Sequence, residues 1–395
     1  MKNDALGMLR LCHAELVHIR RDIHANPELG FEETRTSQLV ADKLAEWGIE
    51  VHRGLAKTGV VGVIRGRKDS GGRAIGLRAD MDCLPMHETG GVAHKSRVPG
   101  RMHACGHDGH TTMLLGAGRY LAQTRNFDGT VNLIFQPAEE GGGGGRVMVE
   151  DGLFERFPCE AVYALHNWPG LPPGKIAVRP GPMLAATDEL KLKLRGRGGH
   201  AALPHLAVDP VVIAAHVITA LQTIASRNAN PVDAVVVSLC SMQTSQLGAF
   251  NVIPAQVELV GTVRSFTPEM RDLAERRIRE IATAVAQGLG GSAEIEYRRG
   301  YPATVNTERE ARFAARVGER VFGAGNVITD HEPTMGGEDF AYMLQAKPGA
   351  YVFLGQGGAA LGCLLHNPGY DFNDDVIPLG AGYLAALVED SLPLK

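Results

Sequence analysis

The chain has 395 residues, of which 44% are apolar and 21% charged, and its formal net charge is −4 with histidine neutral. That length predicts two or three domains with ample core material, and the charge balance excludes the basic face on which a nucleic-acid binder depends. The apolar content excludes a disordered chain, while two excesses stand out: 49 glycines, about 12% against the usual ~7%, and 15 histidines, the commonest metal ligand and acid–base group.

The first predicted element is a helix in which Leu9, Leu11, Leu16, Ile19 and Ile23 recur at helical spacing up to Asn26-Pro27. A second helix is expected over 33–47, ended by Gly48. Short apolar runs bounded by turn residues predict strands at 59–64, 74–77, 130–135 and 161–165, with a helix at 111–123 between them. Strands alternating with helices predict an α/β layer. The five glycines 141–145 are expected to form a local flexible loop.

From about Asp188 the pattern changes. Leu190, Leu192 and Leu194 alternate with Lys191, Lys193 and Arg195, as in a strand with one wet face. A helix is predicted over 208–227, strands at 234–239 and 256–266, a helix over 268–287 capped by Thr267, and a strand at 293–299. The order β-α-β-β-α-β is that of a ferredoxin-like unit. The α/β pattern then resumes with a helix at 308–322, a strand at 350–354 and a helix at 379–389. The expected architecture is therefore a catalytic α/β domain over 1–186 and 302–395, with a mixed sheet, interrupted by an inserted ferredoxin-like domain over 187–301.

Cysteines stand at 12, 83, 105, 159, 240 and 363, with no CxxC and no disulfide framework. The opening residues carry no signal-peptide pattern, and no apolar run reaches about 18 residues. The expectation is a cytoplasmic protein without a membrane partner.

Chemistry concentrates in a few places. The segment Arg101-Met-His-Ala-Cys-Gly-His-Asp-Gly-His110 offers Cys105 and His107 two residues apart, so a tight turn can aim both at one point. Thiolate and imidazole suit late divalent metals; the bland alternative is a histidine-rich loop with a buried cysteine. Gln136-Pro-Ala-Glu-Glu140 ends an apolar strand, where open α/β sheets place ligands. Side-chain alternation lets one carboxylate ligate while the other faces substrate, although adjacent glutamates are common on surfaces. Leu165-His166-Asn167 and His366-Asn367-Pro368 each place a histidine near the end of a strand. In Ala79-Asp80-Met-Asp82-Cys-Leu-Pro85, one carboxylate can orient a ligating imidazole, or the segment is an Asp-rich turn.

Together Cys105, His107, Glu140, His166 and His366 make five candidate ligands, one more than a closed tetrahedral site takes. Two metals sharing a bridge is the economical arrangement, one that activates a water. Glu139 is the candidate general base. The thiolate leans toward zinc without settling the metal. No GxSxG elbow and no HExxH occurs. The stretch 355–360 imitates a dinucleotide fingerprint, but the next residues, LGCLLHNPGYDF, do not continue as a helix.

These motifs resemble the M20 metallopeptidase family, in its branch of hippurate hydrolases and N-acyl-amino-acid amidohydrolases. The likeness spans nearly the whole chain: RRDIHANPELGFEE (20–33), GLRADMDCLPMHE (76–88), MHACGHDGHTTMLLG (102–116), FQPAEEGGGG (135–144), ALHNWPG (164–170), GRGGHAALPH (196–205), FNVIPAQVELVGTVRSF (250–266), MGGEDFAYM (335–343) and LHNPGYDFNDD (365–375). The resemblance implies the same five ligands, Glu139 as base and Asp82 as the residue that orients a ligand. Asp80 falls where other branches carry a ligating histidine, and Cys105 supplies the replacement. It further implies His200 as an oxyanion contact from the inserted domain, Asn251 and Arg264 as contacts to a substrate carboxylate, and Gly337 as a point of close backbone approach. Two divalent ions are implied, zinc or manganese, with cobalt or nickel as further candidates, and a homodimer formed through the inserted lid or dimerisation domain. The activity implied is hydrolysis of a small-molecule N-acyl-amino acid. A dipeptidase or carboxypeptidase on the same site is the alternative, and a non-catalytic amino-acid or peptide binder a more distant one.

Overall fold

A computed structural model describes residues 5–246, 248–358 and 364–394. Cys363 and the Ala359-Ala360 end of the 355–360 stretch lie outside the described residues. Two units are present. The first runs to Met183 and takes in Val305–Glu332 and the chain from Asp339 onward; the second comprises Leu184–Thr304 and Pro333–Glu338.

The first unit is built on an eight-stranded mixed sheet in the order Glu50–Leu55, Gly59–Arg65, Thr130–Gln136, Ala74–Asp80, Ala161–Pro169, Gly349–Gly357, Ile176–Ala177, Val327–Ile328. The four strands from Thr130–Gln136 to Gly349–Gly357 run parallel, and their sequences are near-continuous apolar runs because both faces are covered. All seven residues of Ala74–Asp80 are buried. Helices His107–Thr124 and Ile377–Ser391 pack on the sheet through Leu114, Leu115, Leu121, Leu384 and Leu387, all buried.

Several elements differ from expectation. The first helix is two, Ala5–Leu11 and His13–Ala25. The strand expected at 161–165 continues to Pro169, so His166 lies inside it. The helix expected at 111–123 begins at His107. The glycine run is not a loose loop. Gly144 and Gly145 open a helix, Gly144–Glu150, and are buried. A side chain on Gly144 would meet the Pro137 carbonyl oxygen at 1.7 Å, so close packing is the reason for that glycine.

The second unit has a four-stranded antiparallel sheet in the order Val235–Thr244, Gln256–Ser265, Ala186–Arg195, Ser292–Arg299. Helices Pro210–Leu221 and Pro268–Gly288 complete the β-α-β-β-α-β order. Asp209 and Thr267 cap them, accepting from Val211 N and Met270 N, and each helix has proline in its first turn. The alternating leucines 190, 192 and 194 form one core with Ile213, Val217, Val257, Leu259 and Ile278. Pro210–Asn228 is long and apolar enough to cross a membrane by length and composition, although His216, Thr219, Gln222 and Thr223 interrupt its apolar residues. Here Ile213, Ala214, Val217, Leu221 and Ile224 belong to the core of the sheet.

Candidate metal centre

The centre forms around a turn that only glycine makes readily. Gly106, at φ 95°, precedes helix His107–Thr124, and a side chain there would lie 2.2 Å from Asn167 Oδ1. Cys105 stands before this turn and His107 after it, so both project to the same place. Cys105 Sγ is 3.4 Å from His166 Nε2. Cys105 groups with His107 and His166, and equally with Glu140 and His366, each set within metal-ligating reach.

Both buried histidines have the hydrogen bonding that suits a candidate ligand. His107 Nδ1 donates to the Asp82 carbonyl oxygen at 2.9 Å, and His166 Nδ1 to the Asn167 carbonyl oxygen at 2.7 Å. A carbonyl can only accept, so each neutral ring carries its proton on Nδ1 and presents a bare Nε2. His107 Nε2 and Glu140 Oε1 are sealed from water without a hydrogen-bond partner, although His366 Nε2 lies 3.4 Å from that oxygen. Orphaned polar atoms of this kind are costly, and a cation among thiolate, imidazole and carboxylate donors satisfies them. The residues present therefore fit a metal.

Asp82 braces two of these groups at once. Its carbonyl and Oδ1 face His107 Nδ1, and its Oδ2 accepts from Glu140 N at 2.9 Å. Glu139 Oε2 and Glu140 Oε1 both lie 3.9 Å from His107 Nε2. The alternation expected of an extended segment does not hold here, because the strand ends at Gln136 and Ala138 turns the chain at φ 54°. His366 has φ 60° and donates its backbone N–H to the Ala104 carbonyl, which brings it beside Cys105.

The electrostatics are those of a crowded, dry site. Burial pushes the Cys105 thiol up and the Glu140 charge adds to it, against His107. Burial disfavours charge on His107, but Asp80 and Cys105 outweigh it and hold the ring well above the usual range. Burial, then His110, pushes His166 well below it. The Cys105 and Glu140 groups beside it raise His366 to about 10, against its burial.

Behind the candidate ligands lies a polar layer of which residue-type reasoning singled out only Asp80. Asp80 Oδ1 accepts from His110 Nδ1 at 2.6 Å and Oδ2 from Arg78 at 2.9 Å. His110 Nε2 meets Asn167 Oδ1 at 2.6 Å, and Asn167 Nδ2 donates to Gln356 and Tyr370. Burial would raise the Asp80 carboxyl, yet His107, Arg78 and His110 hold it well below the ordinary carboxylate range. A second cluster, His24, His94 and Asp371, also has metal-ligating spacing. Its cation is already present: Arg20 reaches His94 Nε2 at 3.2 Å and Asp371 Oδ1 at 2.9 Å. For most of these residues the only signal in the sequence was their place in the family-like segments 20–33, 76–88, 102–116, 164–170 and 365–375.

In the second unit, His200 lies on the short strand Gly199–His200, paired with Val252–Ile253. Ala202 N donates to His200 Nδ1 at 3.0 Å, which puts the neutral ring's proton on Nε2. Asn251 is close by, its carbonyl accepting from Ala201 N at 3.0 Å. The guanidinium of Arg264, on Gln256–Ser265, makes no hydrogen bond or ion pair among the described residues, and burial lowers its affinity for its proton. Gly337 has a packing reason to be glycine, since a side chain would meet Thr187 Cγ2 at 2.2 Å.

The sequence matches the model of peptidase family M20/M25/M40 over residues 76–390. The chain belongs to this family. Among its M20 relatives, a hippurate hydrolase of Campylobacter jejuni is 43% identical over 373 residues, 94% of this chain and 95% of that protein. An N-acetylcysteine deacetylase of Bacillus subtilis is 36% identical, covering 95% of this chain and 96% of the relative. The crystal structure of Bacillus subtilis YXEP, described as a dinuclear metal binding peptidase from the M20 family, superposes with a TM-score of 0.83 at 34% identity, over 97% of this chain and 99% of that one.

Proposed function

We propose that this M20 chain is a metal-dependent amidohydrolase that cleaves the amide of N-acyl-amino acids, of the hippurate or N-acetyl kind, to a carboxylic acid and a free amino acid. The observation that carries the reading is the pair of imidazoles His107 and His166, each anchored through Nδ1 to a backbone carbonyl so that Nε2 is left for a ligand, held beside Cys105, Glu140 and His366 with Glu139 at their edge. The M20 relatives named above act on an aroyl- and an acetyl-amino acid by their names.

Cys105, His107, Glu140, His166 and His366 would hold two divalent ions, zinc or manganese, with Cys105 common to both groups of ligands. Such ions, when bound, acidify a water and polarise the scissile carbonyl. Glu139 takes the water's proton and returns it to the leaving amine. Asp82 holds His107 and the Glu140 backbone in register. His200, with its proton on Nε2, donates to the developing oxyanion. Arg264 offers a planar fork to the substrate carboxylate, supported by its having no hydrogen bond or ion pair among the described residues, and Asn251 adds an amide contact. The second unit is read as the homodimer surface, since Val235–Thr244 is an edge strand that exposes Met242; light scattering in solution tests this.

The purified protein, loaded with manganese or zinc, is expected to release free amino acid from hippurate or an N-acetyl-amino acid. Chelation should abolish release and added metal restore it. Glu139→Gln should lower kcat by about 10²–10⁴-fold. Turnover of dipeptides alone would move the assignment to the dipeptidase reading, and unchanged turnover in Glu139→Gln would overturn the mechanism.

A further inference from the structure

We infer that Glu33 is a positioning residue for the Glu139-Glu140 pair and acts through the backbone of Ala138. The inference rests on the reading of Glu139 as base and Glu140 as metal ligand. Glu33 is fully buried, next to the exposed Glu32, which pairs with Arg101 at 3.0 Å. One Glu33 oxygen accepts from Ala138 N at 2.8 Å, and the other accepts from Thr58 Oγ1 at 2.6 Å. Nothing in the amide-cleaving reaction calls for an acid at this point. Its two hydrogen bonds are spent on a backbone N–H and on the hydroxyl that fixes its own rotamer.

The target of that bond explains its use. Adjacent residues on an extended chain point to opposite faces. Glu139 and Glu140 instead reach the same nitrogen, His107 Nε2, each at 3.9 Å. The chain achieves this by turning at Ala138, which has φ 54°, a conformation unfavourable for a residue with a Cβ. Four contacts hold the turn. Glu33 takes the Ala138 N–H; Gly144 N donates to the Ala138 carbonyl at 3.0 Å; Asp82 Oδ2 takes the Glu140 N–H at 2.9 Å; and Gly141 N donates to the Glu139 carbonyl at 2.7 Å. Space for the Ala138 methyl comes from Gly30 and Gly142, where a side chain would approach it to 2.9 and 2.6 Å. The segment 30–33 thus closes over the carboxylate turn from outside, with Glu33 as its polar contact.

This assignment specifies what matters about Glu33: an acceptor at the right reach, not a negative charge. Glu33→Gln keeps an acceptor oxygen at that reach, and Thr58 can rotate to accept from the new amide. Glu33→Asp keeps the charge but is one methylene too short. The three proteins, native, Glu33→Gln and Glu33→Asp, would be compared by steady-state kinetics at saturating metal and by titration calorimetry of manganese into the metal-free protein. Glu33→Gln is expected to stay within about 3-fold of native in kcat and in metal affinity. Glu33→Asp is expected to lose 10-fold or more in kcat with KM within about 3-fold, and to bind metal correspondingly more weakly, with unchanged near-ultraviolet circular dichroism. The opposite order, Asp active and Gln inactive, would show that charge is what counts and would overturn the inference. Equal behaviour of both variants would also overturn it. The calorimetric order stands apart from turnover: a native protein that cleaves no N-acyl-amino acid sinks the proposed function, while the metal affinities still decide the role of Glu33.

Discussion

Sealing a carboxyl from water favours its neutral form, and Glu33 shows the effect. Burial raises it to about 7 from the ordinary 4.5, with the nearby Asp82 charge adding and the Thr58 hydrogen bond opposing. A carboxyl raised by folding contributes stability that is complete below about pH 4.5 and is lost as pH climbs through 7. Above that range the ionised group costs the metal-free protein up to ~3 kcal/mol. Glu33→Gln removes the titration, so in metal-free protein its unfolding midpoint should exceed the native one at pH 8 by more than at pH 5, by on the order of a few °C. Thermal melts followed by circular dichroism at the two pH values test this. A difference that is the same at both would show that Glu33 does not titrate across that range. The contrast with Cys105, His107, Glu140, His166 and His366 shows what a sequence reveals at this scale. Those residue types carry their chemistry in their identity, so they stand out as candidates without any fold. Glu33 serves a backbone group 105 positions away, and a second glutamate in FEE gives no sign that it is the one turned inward.

The element on which the metal turn rests is helix His107–Thr124, and its first turn is anchored by helix His13–Ala25. His24 Nδ1 meets Asp108 Oδ2 at 2.8 Å and Nε2 meets Glu88 at 3.4 Å. Arg20, fully buried, joins Asp108, Asp371 and Asp374. Burial works against charge on His24 and Arg20 repels it, but the hydrogen bonds to Asp108 and Glu88 prevail and raise the ring to about 9. A histidine raised in this way contributes stability that is fully present below about pH 6.5 and disappears as pH passes through 9. The cost of His24→Gln, measured by urea unfolding, should therefore be largest at pH 6 and shrink at pH 9.5; a cost independent of pH would remove the charge from the account. Hydrophobic period located most elements, including the second unit's alternating leucines, because there local pattern and tertiary burial agree. It placed the start of His107–Thr124 four residues late, since the first turn is His-Asp-Gly-His and looks polar. That turn is buried by partners such as Asp82, Asp80 and His24, which no local pattern displays. The glycine run misled for the same reason: Gly142, Gly144 and Gly145 answer to contacts with Ala138, Pro137 and Asp339.

Across the whole molecule, each unit has a core of its own, the first around the mixed sheet and the second around Leu190, Leu192 and Leu194. The β-α-β-β-α-β order made the second unit legible, whereas the grouping of Pro333–Glu338 with it did not show, since that segment stands apart in the chain and has no pattern of its own. The five candidate ligands all belong to the first unit. So do both tryptophans, Trp47 and Trp168, and Trp168 stacks on Phe353 with its ring 6.3 Å from that of His166. Tryptophan fluorescence therefore reports the unit that would bind metal, while calorimetry reports both. Metal at a hundred times its dissociation constant adds ~2.7 kcal/mol to the state that binds it. Chelation should accordingly lower the unfolding temperature seen by fluorescence, and the calorimetric transition of the second unit should stay where it was. A fluorescence midpoint indifferent to chelation would refute metal binding at this cluster. Transitions that move together would show that the two cores unfold as one cooperative body, so that metal bound in the first unit also stabilises His200, Asn251 and Arg264 in the second.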